Sequence, residues 1–295
     1  MRRTAMSSTF ERLLPWLVRA VWASLPFTVG PALAAALDGR SRPVQATASV
    51  LLWGTWAAVL LATLVPHPIG LTALRSSAPA VLGAAVAAAA GGHGSALSVA
   101  TAGLAMALAF LPETGMLFVN GPAYPNERRL PLRVPGALLF GILPGAWLLA
   151  VAAPSAGLLL LASRRWVAGA AVLGLGLPLA ATLFRSLHGL ARRWVVFVPA
   201  GMVLHDPLSL TDPVLFRRQL IESLRPAPAG SQSLDLTQRA PGLALELVLR
   251  EESVLMLAEP RNRLGRSTTV DRLLFTPTRP GAVLREASTR RVPTG

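Results

Sequence analysis

The sequence predicts an α-helical membrane bundle of about six transmembrane helices, followed by a small β-rich domain. Composition is the first reason: 53% of the 295 residues are hydrophobic and only 14% are charged, against roughly 25% charged in a typical globular protein. The distribution of charge is the second. Residues 1–184 hold 12 Arg and 4 acidic residues, whereas residues 185–295 hold 16 Arg and 10 acidic residues. We therefore predict a transmembrane domain over 1–189 and a separate domain over 190–295.

A helix that crosses a bilayer needs roughly 20 mostly apolar residues. The predicted spans are 13–37, 47–65, 79–91, 95–111, 135–162 and 166–184. The first is too long for a secretory signal peptide, so we interpret it as a retained helix, with Arg19 reaching toward the headgroups.

Two parts of this helical region need interpretation, the paired spans at 79–111 and the stretch that follows them. Residues 79–111 form either a tight helical hairpin around 91–94 or a segment whose first half is re-entrant. The stretch from 112 to 134 is polar, Pro-rich and basic. It therefore predicts a loop.

The arginines between the spans predict the orientation. With both termini in the cytoplasm, ten Arg lie on the inner side, including Arg75 and Arg193, and four lie on the outer side. Cytoplasmic loops of membrane proteins carry an excess of Lys and Arg. The count favours six spans with both termini cytoplasmic. A single crossing by 79–111, or a double crossing by 135–163, would move one end to the other side.

Alternating and β-branched runs dominate the last hundred residues. Residues 194–198 and 202–205 predict a hairpin in which Gly201 supplies a positive φ. Residues 243–249 and 254–257 predict a second hairpin, and 270–275 a further strand. Asp212 before a proline is typical of a helix start, although 214–221 is equally compatible with a strand. A short helix is predicted over 280–287.

The runs RRWVVFVPAGMVLHDP (192–207) and FTPTRPG (275–281) carry a resemblance. With them the chain resembles a family of uncharacterised multi-pass membrane proteins from high-GC Gram-positive bacteria. All 28 basic residues are Arg, which fits such a genome. The resemblance implies a location in the bacterial plasma (inner) membrane, and it implies no activity. The tail is also similar in strand order to bacterial PH-like domains.

No catalytic or cofactor-binding residues are predicted. The chain has no Cys, and no nucleotide-binding or hydrolase motif is present. His67, His93, His188 and His205 lack the spacing of a helical metal site, so no metal is predicted. His205 and Asp206 are adjacent on a strand and point to opposite faces, which argues against a catalytic pair.

The predicted membrane segments carry one weak packing motif and little charge. Gly141 and Gly145 form a GxxxG pattern that permits close helix approach, within the chain or between two copies. Predicted spans two to six contain no Asp, Glu, Lys or Arg, whereas coupled transporters need ionisable groups at membrane depth. Trp16, Trp22, Trp166 and Trp194 fall near predicted span ends and fit an interfacial aromatic belt.

These features favour a non-enzymatic plasma-membrane scaffold whose cytoplasmic domain docks a protein partner or anionic lipid. Exposed Arg near the surface would attract anionic headgroups. The alternative is a transporter or lipid-handling protein for apolar cargo, which needs no buried charge. A lipid-sized groove between spans would favour this alternative. The bilayer is the expected partner in either case, and no nucleic-acid partner is expected despite the net charge of +14.

Overall fold

A computed structural model describes residues 2–259 and 262–295, and these form two compact units. The helical unit comprises Met1–Gly121 and Gly145–Leu187. The strand unit comprises Pro122–Pro144 and His188–Gly295. Apolar helices followed by a β-rich domain are the predicted order, and the structure confirms it at this level.

Eight α-helices precede the main run of strands in the described residues. They are α1 (Arg2–Thr28), α2 (Gly30–Leu37), α3 (Arg42–Leu64), α4 (Pro68–Ala90), α5 (Ala96–Phe110), α6 (Pro112–Asn120), α7 (Leu143–Ala162) and α8 (Trp166–Ala191). A π-helical turn, Leu138–Ile142, precedes α7.

Five stretches among these helices are long and apolar enough to cross a membrane. They are Thr9–Leu37, which joins α1 to α2, and the helices α3, α4, α7 and α8. Helices α5 and α6 meet at a bend of 59° and provide a sixth crossing if the pair forms one broken span.

Helix α4 begins at Pro68, well before the predicted span at 79–91. His67 caps it, because its Nδ1 accepts the N–H of Ile69 at 3.3 Å, and Pro68 occupies the first turn, where no donor is needed. The helix has 23 residues, which is enough for a full crossing. Arg75 therefore lies inside α4, and its assignment to a loop was wrong.

The turn from α4 to α5 follows from one glycine and two serines. The N–H groups of His93 and Gly92 donate to the carbonyls of Ala88 and Ala89. This is a Schellman motif, which requires the left-handed φ of +80° that Gly92 adopts. Ser95 and Ser98 then form a reciprocal capping box at the start of α5.

The strand unit contains two four-stranded sheets. The first has the order β1 (Arg128–Pro131), β2 (Trp194–Val198), β3 (Gly201–His205), β4 (Val214–Arg217), all antiparallel. The second has the order β5 (Ile221–Pro226), β7 (Leu245–Glu259), β8 (Asn262–Phe275), β6 (Leu234–Asp235), with β6 parallel to β8. Helix α9 (Pro280–Thr289) contacts β1 and β5 through a face that buries Val283 and Ala287.

The predicted loop at 112–134 was wrong in both halves. Its first half is helix α6, and its second half is strand β1, which pairs along the edge of β2 from Arg128↔Phe197 to Pro131↔Trp194. Leu132 N–H donates to Arg193 O at 2.9 Å, and Arg133 N–H donates to Thr276 O at 2.8 Å. The strand unit is therefore assembled from two separate stretches of chain.

The predicted hairpin of β2 and β3 is present, and Gly201 has a positive φ of +154°. The second predicted hairpin was wrong, because residues 245–249 and 254–257 belong to one strand, β7. The polar residues Arg250, Glu251 and Glu252 are accommodated by a register shift between Val248 and Ser253. The segment 214–221 is neither one helix nor one strand: Val214–Arg217 is β4, Arg218–Leu220 is a 3-10 turn, and Ile221 begins β5 in the second sheet.

Candidate functional site

An apolar groove of about 400 Å³ lies within the helical unit. Its walls come from α1, α2, α3, α4 and α7. The wall from α1 and α2 runs from Trp22 to Leu37, which is about 22 Å at 1.5 Å per helical residue. The groove is therefore elongated along the helices, a shape that suits a chain-like ligand.

Two tryptophans connect α1 and α3 by hydrogen bonds at the end of the groove opposite Leu37. Trp22 Nε1 donates to the carbonyl of Trp56 at 3.0 Å, and Trp56 Nε1 donates to the carbonyl of Trp22 at 2.9 Å. The Trp22 carbonyl lacks a helical donor, because the residue four positions later is Pro26, which has no N–H. Pro26 thus leaves the Trp22 carbonyl without a helical donor, and the indole N–H of Trp56 in α3 donates to it instead.

Trp22 was predicted to lie near a membrane interface, and this was wrong. It stands close to the middle of the stretch Thr9–Leu37 and is only 1% exposed. Trp53 completes the aromatic cluster, with its ring 5.3 Å from that of Trp56 in an edge-to-face arrangement. Trp53 is 56% exposed and also lines the groove.

Hydroxyl groups are the polar side chains of the groove. Ser49, Thr55, Ser77 and Ser155 line it, and Ser155 Oγ already donates to the Val151 carbonyl at 3.0 Å. Within the described part of the chain, the lining contains no carboxylate, guanidinium or imidazole. This chemistry suits the burial of apolar surface.

Arg75 is the main feature of the helical unit that sequence reasoning missed. Its Nε donates to the carbonyl of Ala109 at 3.1 Å, and its guanidinium carbon lies 5.6 Å from the Phe110 ring centre. Thr114 Oγ1 donates to the neighbouring Leu108 carbonyl at 2.7 Å. This carbonyl lacks its donor four residues later, because Pro112 has no N–H, and receives a long bond from the Leu111 N–H at 3.4 Å instead. Arg75 and Thr114 therefore satisfy the carbonyl end of α5 at the bend into α6.

Gly115 provides the space for the Arg75 guanidinium. A β-carbon added at Gly115 would lie 3.1 Å from Arg75 Nη2. The signal in the sequence was the pair Leu111-Pro112 with Thr114 and Gly115, which marks a helix break with open carbonyls. Arg75 could be matched to that break only from the fold, because α4 and α5 are antiparallel neighbours.

Arg19 acts in the same way at the end of α3. Its Nε donates to the Thr63 carbonyl at 3.1 Å, and its guanidinium carbon lies 5.2 Å from the Trp16 ring centre. A cation at a helix C-terminus is favourable for its hydrogen bonds and for the helix dipole. The guanidinium of Arg19, which was predicted to reach toward the headgroups, is thus also hydrogen-bonded to a backbone carbonyl of α3.

The predicted packing pair, Gly141 and Gly145, has no neighbour within 4 Å of an added β-carbon. Close approach within the helical unit occurs elsewhere. β-Carbons added at Gly157 and Gly169 would each lie 2.6 Å from a leucine of the facing helix, Leu173 and Leu161 respectively. Helices α7 and α8 therefore pack through these glycines, and the role of Gly141 and Gly145 stays a prediction.

A buried ion pair organises the first sheet of the strand unit. Arg193 and Asp206 form a bidentate pair at 2.7 and 2.8 Å, with side chains 2% and 1% exposed. Arg193 Nη1 also donates to the Arg133 carbonyl at 2.7 Å. Counting Arg193 among the loop arginines was wrong, because its guanidinium is fully engaged inside this unit.

His205 and Asp206 point in different directions, as predicted for adjacent strand residues. His205 stacks on Trp194 at 5.0 Å, and its Nδ1 lies 2.7 Å from the Arg192 carbonyl. Among residues 2–259 and 262–295, no three His, Asp or Glu side chains are placed to hold a metal ion. The contacts of His205 therefore stabilise the local structure around Trp194.

Glu246 is a second buried carboxylate of the strand unit, with a side chain that is 2% exposed. Burial opposes its ionisation, but hydrogen bonds from Ser231, Ser233 and Arg225, together with the charge of Arg225, outweigh burial and lower its pKa. The Ser231 and Ser233 hydroxyls donate to Oε1 at 2.6 and 2.7 Å. The network joins β7 to the segment before β6.

The hairpin of β7 and β8 ends in an exposed tip. Leu264 is 81% exposed, and the Arg266 side chain, 67% exposed, lies 3.5 Å from Glu259. Asn262 Nδ2 donates to the Gly265 carbonyl at 2.7 Å, and Gly265 has a φ of +72°. An apolar side chain beside an exposed cation is the arrangement found where proteins touch lipid surfaces.

No protein-family model, no curated protein and no solved structure matches the chain. The resemblances drawn from the sequence therefore stay predictions.

Proposed function

We propose that the protein is a non-enzymatic membrane protein that holds an apolar, chain-like molecule of the bilayer in the groove beside Trp22 and Trp56. The groove itself carries this proposal, since it is elongated and lined by aliphatic side chains, indoles and a few hydroxyls. This function is the lipid-handling alternative of the sequence analysis. We prefer it to the scaffold function because the groove is a structural feature that a lipid-handling protein would use and a scaffold would not.

A groove-filling substitution tests the proposal. Ala84 lines the groove, whereas Ala87 is exposed on the same helix and does not line it. Ala84→Phe and Ala87→Phe are therefore a matched pair. Native mass spectrometry of the full chain, purified in mild detergent, is expected to show bound lipid for wild type and Ala87→Phe, and to lose it for Ala84→Phe. Equal lipid retention by both variants would contradict the proposal.

Docking of the strand unit to an anionic lipid surface is the second candidate, and the exposed tip at Leu264 and Arg266 favours it. Because the chain has no Cys, Leu264→Cys can carry a single polarity-sensitive dye, with Gln232→Cys at an exposed position as the control. In vesicles that contain anionic lipid, the dye at 264 is expected to shift to the blue in a salt-sensitive way. The dye at 232 should not shift. A salt-independent spectrum at 264 would count against docking.

We also propose the plasma membrane as location, six crossings, and both termini in the cytoplasm. Arg12, Arg75 and Arg185 lie inside candidate spans, as does Arg42 of the outer set, and Arg193 is buried in the strand unit; the remaining arginines, six against three, still favour this orientation. Pairing of β1 with β2 supports an even number of crossings by α7 and α8. Maleimide that cannot cross membranes is expected to label Ser41→Cys and not Ser231→Cys in intact cells. Labelling at 231 would reverse the orientation.

The PH-like interpretation of the tail is likewise a proposal. Two sheets followed by one C-terminal helix, α9, support it. The parallel strand β6 and the distant origin of β1 depart from a simple antiparallel order. An experimental structure of the strand unit would decide it.

A further inference from the structure

The groove ends at a turn of defined shape. Beyond Leu37, the last groove residue of α2, Arg40 N–H donates to the Leu37 carbonyl at 3.1 Å. Asp38 has φ −57° and ψ 138°, and Gly39 has φ +81°, which together make a type II turn. Gln45 Nε2 donates to the same Leu37 carbonyl at 3.1 Å. The turn is therefore held from both sides.

This turn places two arginines at the end of the apolar groove. Arg40 and Arg42 follow Leu37 closely, and both are exposed. In the part of the chain that the structure describes, neither has an ion-pair partner. Asp38 is the one acidic residue of the turn, so the turn keeps a net positive charge beside a groove without charged side chains.

We propose that the groove's ligand is an anionic amphiphile, with its negatively charged headgroup bound by Arg40 and Arg42 and its apolar chain in the groove. This inference rests on the proposed function and adds the class of ligand. Guanidinium groups bind phosphate and carboxylate oxygens through paired N–H donors. A zwitterionic headgroup brings its own cation toward the two arginines and gains less from them.

The test compares two single-chain lipids that share one acyl chain, lysophosphatidylglycerol and lysophosphatidylcholine. Their affinities for the full chain in a non-ionic detergent are measured by native mass spectrometry. Wild type is expected to prefer the anionic lipid by about tenfold, below the roughly thirtyfold that two arginines alone would produce, because Asp38 in the same turn offsets part of their charge. Arg40→Gln with Arg42→Gln should bind both lipids with nearly equal affinity.

The matched control is Arg164→Gln with Arg165→Gln, which removes the same charge from the turn between α7 and α8. It should keep the wild-type preference. A preference in Arg40→Gln/Arg42→Gln equal to that of wild type would overturn the inference, as would a wild type that binds both lipids alike. In that last case lipid binding still stands, and loss of binding in Ala84→Phe still tests the groove.

Salt and inorganic phosphate probe the charge of this turn without any substitution. The preference of wild type should fall as salt is raised, a result that does not depend on any variant folding. Inorganic phosphate tests the other source of the same chemistry. If phosphate alone displaces the anionic lipid at low millimolar concentration, the arginines form a free-anion site and the inference fails.

Discussion

Trp22 and Trp56 exchange hydrogen bonds, each indole N–H donating to the backbone carbonyl of the other residue at 3.0 and 2.9 Å. The two bonds tie the middle of the stretch Thr9–Leu37 to the middle part of α3. In hydrocarbon, an unsatisfied backbone carbonyl costs several kcal/mol, and Pro26 leaves the Trp22 carbonyl without its helical donor. The pair therefore solves a problem that the proline creates, and the same proline lines the wall of the groove.

The first prediction is that Trp56→Phe destabilises the protein by about 1–3 kcal/mol, the cost of leaving the buried Trp22 carbonyl without its donor. Phenylalanine keeps most of the ring and removes the donor to the Trp22 carbonyl. The measurement is the thermal unfolding midpoint of the full chain in detergent. Trp53→Phe, a matched substitution at an exposed groove residue of the same helix, is the control and should shift the midpoint less.

A second variant tests the cause. Pro26→Ala restores an N–H that can donate to the Trp22 carbonyl. The cost of Trp56→Phe should therefore shrink in the Pro26→Ala background, as a coupling in a double-mutant cycle. Additive effects of the two substitutions would show that the orphan carbonyl is not the reason for the pair.

The second prediction concerns Arg75. Arg75→Met keeps a long side chain and removes the donor to the Ala109 carbonyl, so it should cost about 1–3 kcal/mol. Gly115→Ala should act in the same direction, because the new methyl group meets the guanidinium at 3.1 Å. Unfolding of the full chain in detergent measures both. Arg185→Met, on an exposed position of α8, is the control and should have little effect.

The third prediction is a pH dependence from Glu246. Its pKa in the folded protein lies below the ordinary 4.5, so the unfolded chain binds more protons as the pH falls. The stabilisation is complete above about pH 5 and is lost as the pH falls through the folded pKa. The unfolding midpoint of wild type should thus exceed that of Glu246→Gln at neutral pH, and the gap should close in acid. Glu252→Gln, at an exposed position, should show no such gap.

The fourth prediction uses the end of α9. Val292 N–H donates to the Ala287 carbonyl and Arg291 N–H to the Ser288 carbonyl, a Schellman motif that places Arg291 at φ +56°. Left-handed conformation costs a non-glycine residue about 1 kcal/mol. Arg291→Gly should therefore raise the unfolding free energy by about that amount, and Arg291→Ala should not. An equal gain from both would point to charge removal as the cause.

The long apolar helices could be predicted because hydropathy is a local property. Runs such as 47–65 and 166–184 are apolar throughout, and the helices found there follow. The start of α4 could not be found in this way, because Arg75, Ser76 and Ser77 lower the hydropathy of its first half. In the structure the Arg75 guanidinium donates to the Ala109 carbonyl of α5. A hydropathy average over neighbouring residues cannot detect this contact, because the two residues are far apart in the sequence.

Strand β1 could not be predicted from its own residues. Its sequence, Arg-Arg-Leu-Pro, has two charges and a proline in four residues, which is typical of an edge strand or a loop. Only its partner β2, more than sixty residues away, makes it a strand. The groove was similarly hidden, although a Trp four residues before Pro26 near the middle of a span does signal an orphan carbonyl in need of a donor.

The origin of β1 leads to the last prediction, that residues 190–295 alone do not form the stable domain that their own composition suggests. Without 128–133, the edge of β2 is open and Arg193 loses the Arg133 carbonyl that it binds at 2.7 Å. Leu130 and Leu132, both buried, also leave the core. We expect the fragment to aggregate or to unfold at a low temperature.

Fusion of residues 122–137 to this fragment through a flexible Gly/Ser linker should restore a cooperative thermal transition with a β-rich circular dichroism spectrum. The control fusion carries Leu130→Asp and Leu132→Asp, which leave the length unchanged and place two charges in the core, and it should resemble the bare fragment. A bare fragment as stable as the fusion would show that β1 adds little to the stability of the sheet. A fusion that melts at a higher temperature than both others would establish the strand unit as one domain built from two separate segments.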